Sequence, residues 1–405
     1  MCTVGFRWGL NLRFAFTAVA AWALAALASG CAAGSDHARP ATNDPNVPTH
    51  ADVQRALERV VDGGAPGVAA VIQGPNGRET FAAGSADVRR GVPIAPRDRF
   101  RVGSVAKSFT STLVLKLVAQ GKVGLEDPVE KWLPGAVPNG DRITIRELLN
   151  MSSGLANYCA VPPDSTLCIP PPSEMARRWT PQQLVKIGVS APPNFAPGKG
   201  WSYTNTGYVL LGMLIEKVTG ESLEAEYESE IFQPLGLHDT ELPSGTAIPD
   251  PNSHGYDVLT ASTRPGDVTA TSPSIAWSAG GIVSSPGDLA TFMRALVAGR
   301  LLPPALMREM KRPTPGSLAG PTAFEGGGIG SYGLGLVHYT WSHACGVWGH
   351  SGDFPGYHAL VLSSGDGKRG AAMYVNSDAL APPGALATLE AERLLACRMR
   401  FGRTS

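Results

Sequence analysis

No run of basic residues interleaved with aromatics occurs in the sequence, and its 34 lysines and arginines are cancelled by 34 aspartates and glutamates. The electrostatic footprint of a nucleic-acid-binding surface is missing, so nucleic acid is excluded as a partner. Metal chemistry is as poorly provided for. None of the six cysteines stands in a C-x-x-C pair or beside a histidine at zinc-like spacing, and no metal site is expected. No internal repeat is present, which removes repeat architectures. A membrane-spanning helix needs roughly 20 apolar residues, and the N-terminal apolar run, Phe14 to Ala28, is shorter.

The nucleophile elbow of lipases is also missing. The stretch WGHSGDFPG, Trp348 to Gly356, contains Gly-His-Ser, but Asp353 occupies the position where G-x-S-x-G requires its second glycine. That fold also places its acid and then its histidine well downstream of the serine. Here only His358 follows, too close in sequence. Ser351 is therefore not read as a nucleophile.

What is present is an ordinary globular composition over 405 residues, 43% hydrophobic and 17% charged, enough for one large domain or two modest ones. Residues 1–31 read as a signal peptide: Arg7 and Arg13 precede the apolar run, and small residues lead to Cys31. LASGC resembles a bacterial lipobox, which would make Cys31 a lipidation site and the lipid the protein's only attachment to a membrane. Plain secretion is the alternative. Residues 32–50 are polar and rich in proline, alanine and asparagine, as in a tether. Export makes disulfides the natural fate of Cys159, Cys168, Cys345 and Cys397. Three connectivities are open; proximity favours Cys159 with Cys168, which would leave Cys345 with Cys397.

From residue 51 onward the patterning reads as one catalytic domain. ADVQRALERVVDG has apolar residues at helical spacing, and GVAAVIQGPNGRETFAAG reads as a hairpin turning at Pro75-Asn76-Gly77. SFTSTLVLKLVAQGKV is a strongly apolar helix from Ser108 to near Gly121. GYHALVLSS and GAAMYVNS are strands joined by GDGKR, and ALATLEAERLLACRMR closes the chain as a helix. The expected fold is α/β in the broad sense of α+β. One antiparallel sheet would come from about residues 51–103 and 332–405, flanked by helices. A mostly helical insertion, about residues 115–330, would pack beside it.

Three constellations carry chemistry. Ser104-Val105-Ala106-Lys107 sets a serine and a lysine three apart, side by side on a helix. A serine hydroxyl needs a base to take its proton, and a lysine serves only when its pKa is lowered. An N-cap serine followed by a first-turn lysine is the bland reading. Tyr203-Thr204-Asn205 offers a phenol to relay protons and an amide to hold a carbonyl, or merely a helix start capped by Asn205 or Thr206. His350-Ser351-Gly352 could lie on an edge strand, the glycine permitting close approach. Tyr374-Val375-Asn376 repeats the second pattern within an apolar strand and reads as core. Two K-x-G triplets, at Lys122 and Lys368, read as solvated surface.

The order S-x-x-K, Y-x-N, H-x-G resembles the serine β-lactamase and penicillin-binding superfamily, on the branch of class C β-lactamases and secreted D-alanyl-D-alanine carboxypeptidases. RFRVGSVAKSF, DRITIRELLNMSSGL, YTNTGYVLLGMLIEKVTG, WSAGGIVSSPGDLATF, YGLGL and CGVWGHSGDFPGYH carry the likeness over roughly residues 51–400. The resemblance implies that Ser104 is acylated, that Lys107 is the base at acylation and that Tyr203 shuttles protons. It implies that Asn205 positions the substrate amide, and that the backbone N–H groups of Ser104 and Asp353 form the oxyanion hole. His350, where many relatives have lysine, would supply hydrogen bonding and, if protonated, positive charge near Tyr203. Ser351, Gly352 and Trp277 would contact substrate, with Trp201 as a further pocket candidate. No cofactor is implied. The expected function is an exported serine acyl-enzyme hydrolase, first a D-alanyl-D-alanine carboxypeptidase acting on peptidoglycan peptides. An esterase, amidase or β-lactamase of the same fold is the alternative, and a non-catalytic penicillin-recognising protein the third. β-Lactams would be acylating inhibitors and the protein a monomer.

Two positions depart from the carboxypeptidase pattern. Asp353 stands where a hydroxyl residue is usual, and Val337 where an arginine is expected to pair with the substrate carboxylate. Arginine suits that pairing far better than any apolar residue. The fork concerns substrate and leaves the acylation residues untouched.

Overall fold

Apolar stretches from the two ends of the chain pair with one another. In the computed structural model, residues 47–161, 167–171, 173–257, 266–317, 330–340, 346–378 and 380–401 are described. The signal-like segment, Cys31 and Cys345 lie outside them. β1 (Gly67–Gly74) and β2 (Gly77–Asp87) form a hairpin in which Gly74 faces Gly77 across Pro75-Asn76. Gly77 has φ of 131°, which favours glycine, so it both ends the turn and opens the second strand. β3 (Val92–Pro93) extends β2. β4 (Phe100–Arg101) leaves this sheet to pair with β7 (Val283–Ser284), and β5 (Tyr256–Asp257) pairs with β6 (Gly266–Asp267).

The C-terminal part supplies β8 (Gly330–Tyr332), β9 (Val337–Tyr339), β10 (Val347–Phe354), β11 (Tyr357–Ser363) and β12 (Gly370–Val375). The order across the sheet is β3-β2-β1-β12-β11-β10-β9-β8, antiparallel at each pairing. Val68 faces Val375 where the two ends of the chain meet. This is the α/β arrangement expected, a large antiparallel sheet with helices and a mostly helical middle.

Side chains show which helix covers which face. Gln73 donates to the Gly287 carbonyl, so one face meets the helix Pro286–Val297. Glu79, opposite Ile72, binds Arg398, so the other face meets the helix Pro382–Phe401. The first helix, His50–Asp62, packs with that last one. It is opened by a capping box between Thr49 and Asp52. With both faces covered, β12 is buried along its whole length and β1 up to its last residue.

The apolar helix runs Ala106–Ala119, two residues earlier than its sequence pattern suggests, and nearly every side chain on it is buried. A helix apolar on all sides belongs in the interior. It is the element on which the site is built. The Tyr374-Val375-Asn376 pattern is core: Tyr374 stacks on Phe100 and Asn376 bonds the Ser85 carbonyl. Lys122 and Lys368 are exposed.

Candidate active site

The backbone is forced into place just before the central helix. Val102 N–H donates to the Ile282 carbonyl at 3.0 Å, extending the β4–β7 contact. Gly103 then takes φ of 53°, and Gly103–Val105 forms a single tight turn leading straight into the helix. Ser104 caps nothing with its side chain. Its Oγ lies 2.8 Å from Lys107 Nζ, the i,i+3 juxtaposition that the S-x-x-K spacing predicts.

Lys107 is fully buried. Its Nζ also donates to Asn205 Oδ1 at 2.7 Å and to the Ala279 carbonyl at 2.9 Å. It stands 4.8 Å from the ring centroid of Tyr203 and 5.6 Å from that of Tyr208, both within reach of a cation–π contact. The Y-x-N element comes to the same place because Thr204, rather than Asn205 or Thr206, is the N-cap of the helix Asn205–Thr219. Its hydroxyl accepts from Thr206 N–H, setting Asn205 at the first helical position with its amide toward the lysine.

The third element arrives edge-on. β9 pairs only with Val347–Gly349 of β10, so the outer edge beyond Gly349 meets the Gly103–Val105 turn instead. A β-carbon on Gly352 would sit 2.6 Å from Ser104 N, 2.8 Å from Val105 N and against the Val102 carbonyl. One on Gly103 would meet Asp353 N at 2.7 Å. Two glycines thus let the peptides of Ser104 and Asp353 lie side by side, as a pair of N–H donors for an oxyanion requires.

His350 differs from its expected role as a source of charge. It is buried, and burial together with the nearby Lys107 pushes its pKa down to about 3. The ring is neutral at physiological pH. Nδ1 donates to the Ser351 carbonyl, so Nε2 is the bare nitrogen facing Tyr332 Oη at 3.4 Å. Tyr332, from the YGLGL motif, stands edge-on to both Tyr203 and His350. Tyr208 Oη, 3.3 Å from Tyr332 Oη, donates to the Leu149 carbonyl. A buried hydroxyl network thus underlies the lysine, in place of a second cation.

The other expected contacts divide. Ser351 Oγ is buried without a hydrogen-bond partner. Trp201 packs 5.9 Å from Tyr332 with its buried Nε1 unpartnered. Trp277, expected to contact substrate, has a packing role as well. Its half-buried ring packs over Gly212 of the Asn205–Thr219 helix. Its backbone, at φ of 38°, shapes the turn that brings the Ala279 carbonyl to Lys107.

The Asp353 side chain is engaged by its cross-strand neighbour. Asp353 Oδ1 lies 2.6 Å from His358 Nδ1, and His358 Nε2 lies 2.8 Å from Oε1 of fully buried Glu392 on the last helix. The two carboxylates hold the His358 imidazole well above its ordinary pKa, against burial. The trio carries two carboxyl groups and one imidazolium. Nearby, burial and the Asp353 charge push the Asp378 carboxyl up to about 6.

Cys159 and Cys168 are joined. Cys397 is disulfide-bonded as well, while Cys345 lies outside the described residues. The first bond reaches the site, since Asn205 Nδ2 donates to Cys159 Sγ at 3.1 Å. The sequence gives no sign of this contact, nor of the Ala279 carbonyl or Tyr332.

A hydroxyl beside a buried amine, a phenol next to that amine and two backbone donors on the far side are the parts of an acyl-transfer site. Known proteins resemble the chain in sequence and in structure. The family described as Beta-lactamase matches residues 53–395. Penicillin-binding protein 4* of Bacillus subtilis is 28% identical over 69% of this chain and 61% of its own length. A D-aminopeptidase of Brucella anthropi is 31% identical over 73% of this chain and 52% of its own. The chain thus spans between about half and three fifths of these two relatives. A D-stereospecific amidohydrolase from Streptomyces sp. superposes with a TM-score of 0.76 at 39% identity, covering 85% of this chain and 98% of that structure.

Proposed function

The chain belongs to the beta-lactamase family, and we propose that it acts within that family as an amidase. Its substrates would be D-amino-acid amides and short peptides with a D-residue on the acyl side. The carrying observation is the Asp353–His358–Glu392 trio. One imidazole sits between two carboxyl groups there, so the residue after Gly352 presents a carboxyl tied to His358 and no hydroxyl. In carboxypeptidases of the branch this chain resembles, that is where the leaving group's carboxylate is received. Val337 adds an apolar, buried side chain where their arginine would be. Carboxypeptidase action therefore takes second place to cleavage of a bond whose leaving group carries no carboxylate. The names of the D-aminopeptidase and the D-stereospecific amidohydrolase support the same reading.

In this reading Ser104 Oγ attacks the amide carbon while its proton passes to the neutral amine of Lys107. The oxyanion is received by the N–H groups of Ser104 and Asp353. Tyr203 hands a proton to the departing nitrogen, the C–N bond breaks, and water then hydrolyses the Ser104 ester. β-Lactams present the same acyl chemistry and would acylate Ser104. The basic, apolar and small-residue pattern ahead of Cys31 supports action outside the cytoplasm.

The test compares ammonia release from D- and L-amino-acid amides with D-alanine release from an acyl-D-Ala-D-Ala peptide. Turnover of the D-amides without D-alanine release is expected. D-alanine release that outpaces amide hydrolysis would reject the proposal, and turnover of simple acyl esters alone would make the protein an esterase.

A further inference from the structure

We infer that the Cys159–Cys168 disulfide is a positioning element of the catalytic site, orienting the Asn205 amide so that Lys107 can act as a base. The inference rests on acyl-enzyme chemistry at Ser104 and not on the identity of the amide substrate.

A base must offer a lone pair, so the working form of Lys107 is the neutral amine, with two N–H bonds and one lone pair. Two of its neighbours, the Asn205 Oδ1 and the Ala279 carbonyl, are pure acceptors at 2.7 and 2.9 Å. They take the two N–H bonds. With both N–H bonds on those acceptors, the lone pair can face Ser104 Oγ at 2.8 Å, whose proton has to come off. The arrangement depends on which end of the Asn205 amide faces the lysine. Turned over, the amide would present Nδ2, a donor that competes with the serine for the lone pair.

Nothing in a side-chain amide prefers one orientation over the other; its partners decide. On the far side the partner is Cys159 Sγ, 3.1 Å from Nδ2. A disulfide sulfur has no hydrogen and can only accept. It is therefore satisfied by Nδ2 and by no other part of the amide, whereas a free thiol could also donate to Oδ1. The backbone around the bond is well anchored. Asn157 Oδ1 accepts from the N–H groups of both Cys159 and Asn205. Thr206 Oγ1 accepts from Tyr158 N–H and donates to the Ala156 carbonyl. The sulfur thus occupies a determined position relative to the start of the helix.

The experiment follows the rate at which Ser104 is labelled by a fluorophosphonate. In that reaction the serine oxygen displaces fluoride at phosphorus and its proton goes to Lys107. Three proteins are compared: wild type, Cys168→Ala, which opens the cross-link but keeps the Cys159 sulfur as a thiol, and Cys159→Ala, which removes the sulfur as well. The labelling rate should fall in that order. Cys159→Ala should lose roughly tenfold or more, the factor carried by one hydrogen bond of ordinary strength. The acidic limb of its pH–rate profile should also move to lower pH, because an ammonium at Lys107 loses its Asn205 acceptor. Equal losses in the two variants, tracking equal losses in thermal midpoint, would make the disulfide a mere tether and overturn the inference. If either variant fails to fold, wild type reduced with a phosphine and assayed while still folded decides the matter; an unchanged rate and limb refute it. Absence of labelling in oxidised wild type would instead reject acylation at Ser104 itself.

Discussion

The contact between Gly352 and the nucleophile's turn can be broken by a single methyl group. In Gly352→Ala the new carbon would lie 2.6 Å from Ser104 N and 2.8 Å from Val105 N, and closer still to the Val102 carbonyl. Real β-carbons essentially never come within 3.0 Å of such atoms. All three are backbone atoms of a turn locked to β7 and to the buried helix, so no side chain can swing aside. To clear the Val102 carbonyl as well, the edge of β10 must move out by about 0.8 Å, taking the Asp353 N–H with it. An oxyanion donor works over about 2.7–3.1 Å, and losing one costs about 10²–10³ in rate. The expected result is a fall of roughly 10²-fold in fluorophosphonate labelling of Ser104. Overpacking of this kind costs about 1–3 kcal/mol, which a domain of ordinary stability survives. A lowered but cooperative melting transition should accompany the lost rate. Labelling at the wild-type rate in a folded Gly352→Ala protein would refute the assignment of this edge as the oxyanion wall.

The remaining predictions concern charge. Asp353→Thr should raise the turnover of carboxylate-bearing peptides relative to neutral D-amides; an unchanged ratio of the two kcat/KM values would mean that the Asp353 carboxylate does not select substrate. His358 has a folded pKa raised well above its unfolded value of about 6.5. Its contribution to stability is therefore whole below about pH 6.5 and is lost as pH rises through the elevated value. In wild type the thermal midpoint should decline on the alkaline side, and His358→Gln should flatten that decline. An identical midpoint-against-pH curve in the variant would count against the pairing.

Readability from sequence varied with the kind of signal. Ser104 and Lys107 were legible because helical periodicity alone brings positions three apart together. The sheet strands were legible because β1, β11 and β12 are apolar runs bounded by turn residues. The central helix begins two residues before its apolar pattern does, since Ala106 and Lys107 have no alternation to mark where the tight turn becomes a helix. The neutrality of His350 depends on burial and on a lysine from another element, and neither is written in H-x-G. The Ala279 carbonyl had no signature at all: a backbone oxygen is common to every residue, and only the left-handed turn at Trp277 sets this one apart. The cap fell on Thr204 because its side chain, and not that of its neighbours, reaches the free N–H of Thr206.

The pairing of Val68 with Val375 has a consequence for how activity comes into being. Ser104 and its lysine are made early, while the strand supplying the second oxyanion donor is made late, after the whole helical middle. Contacts so distant in sequence require a long loop to close before they contribute anything, which slows folding. Until β10 settles against the Gly103 turn, the nascent chain holds a serine and a lysine with only one wall around them. On the proposed mechanism, competence for acylation would therefore come late in the life of each molecule, only after the ends of the polypeptide have met. A chain cut short before β10 would keep Ser104 and Lys107 but lack the Asp353 N–H that the proposed mechanism requires.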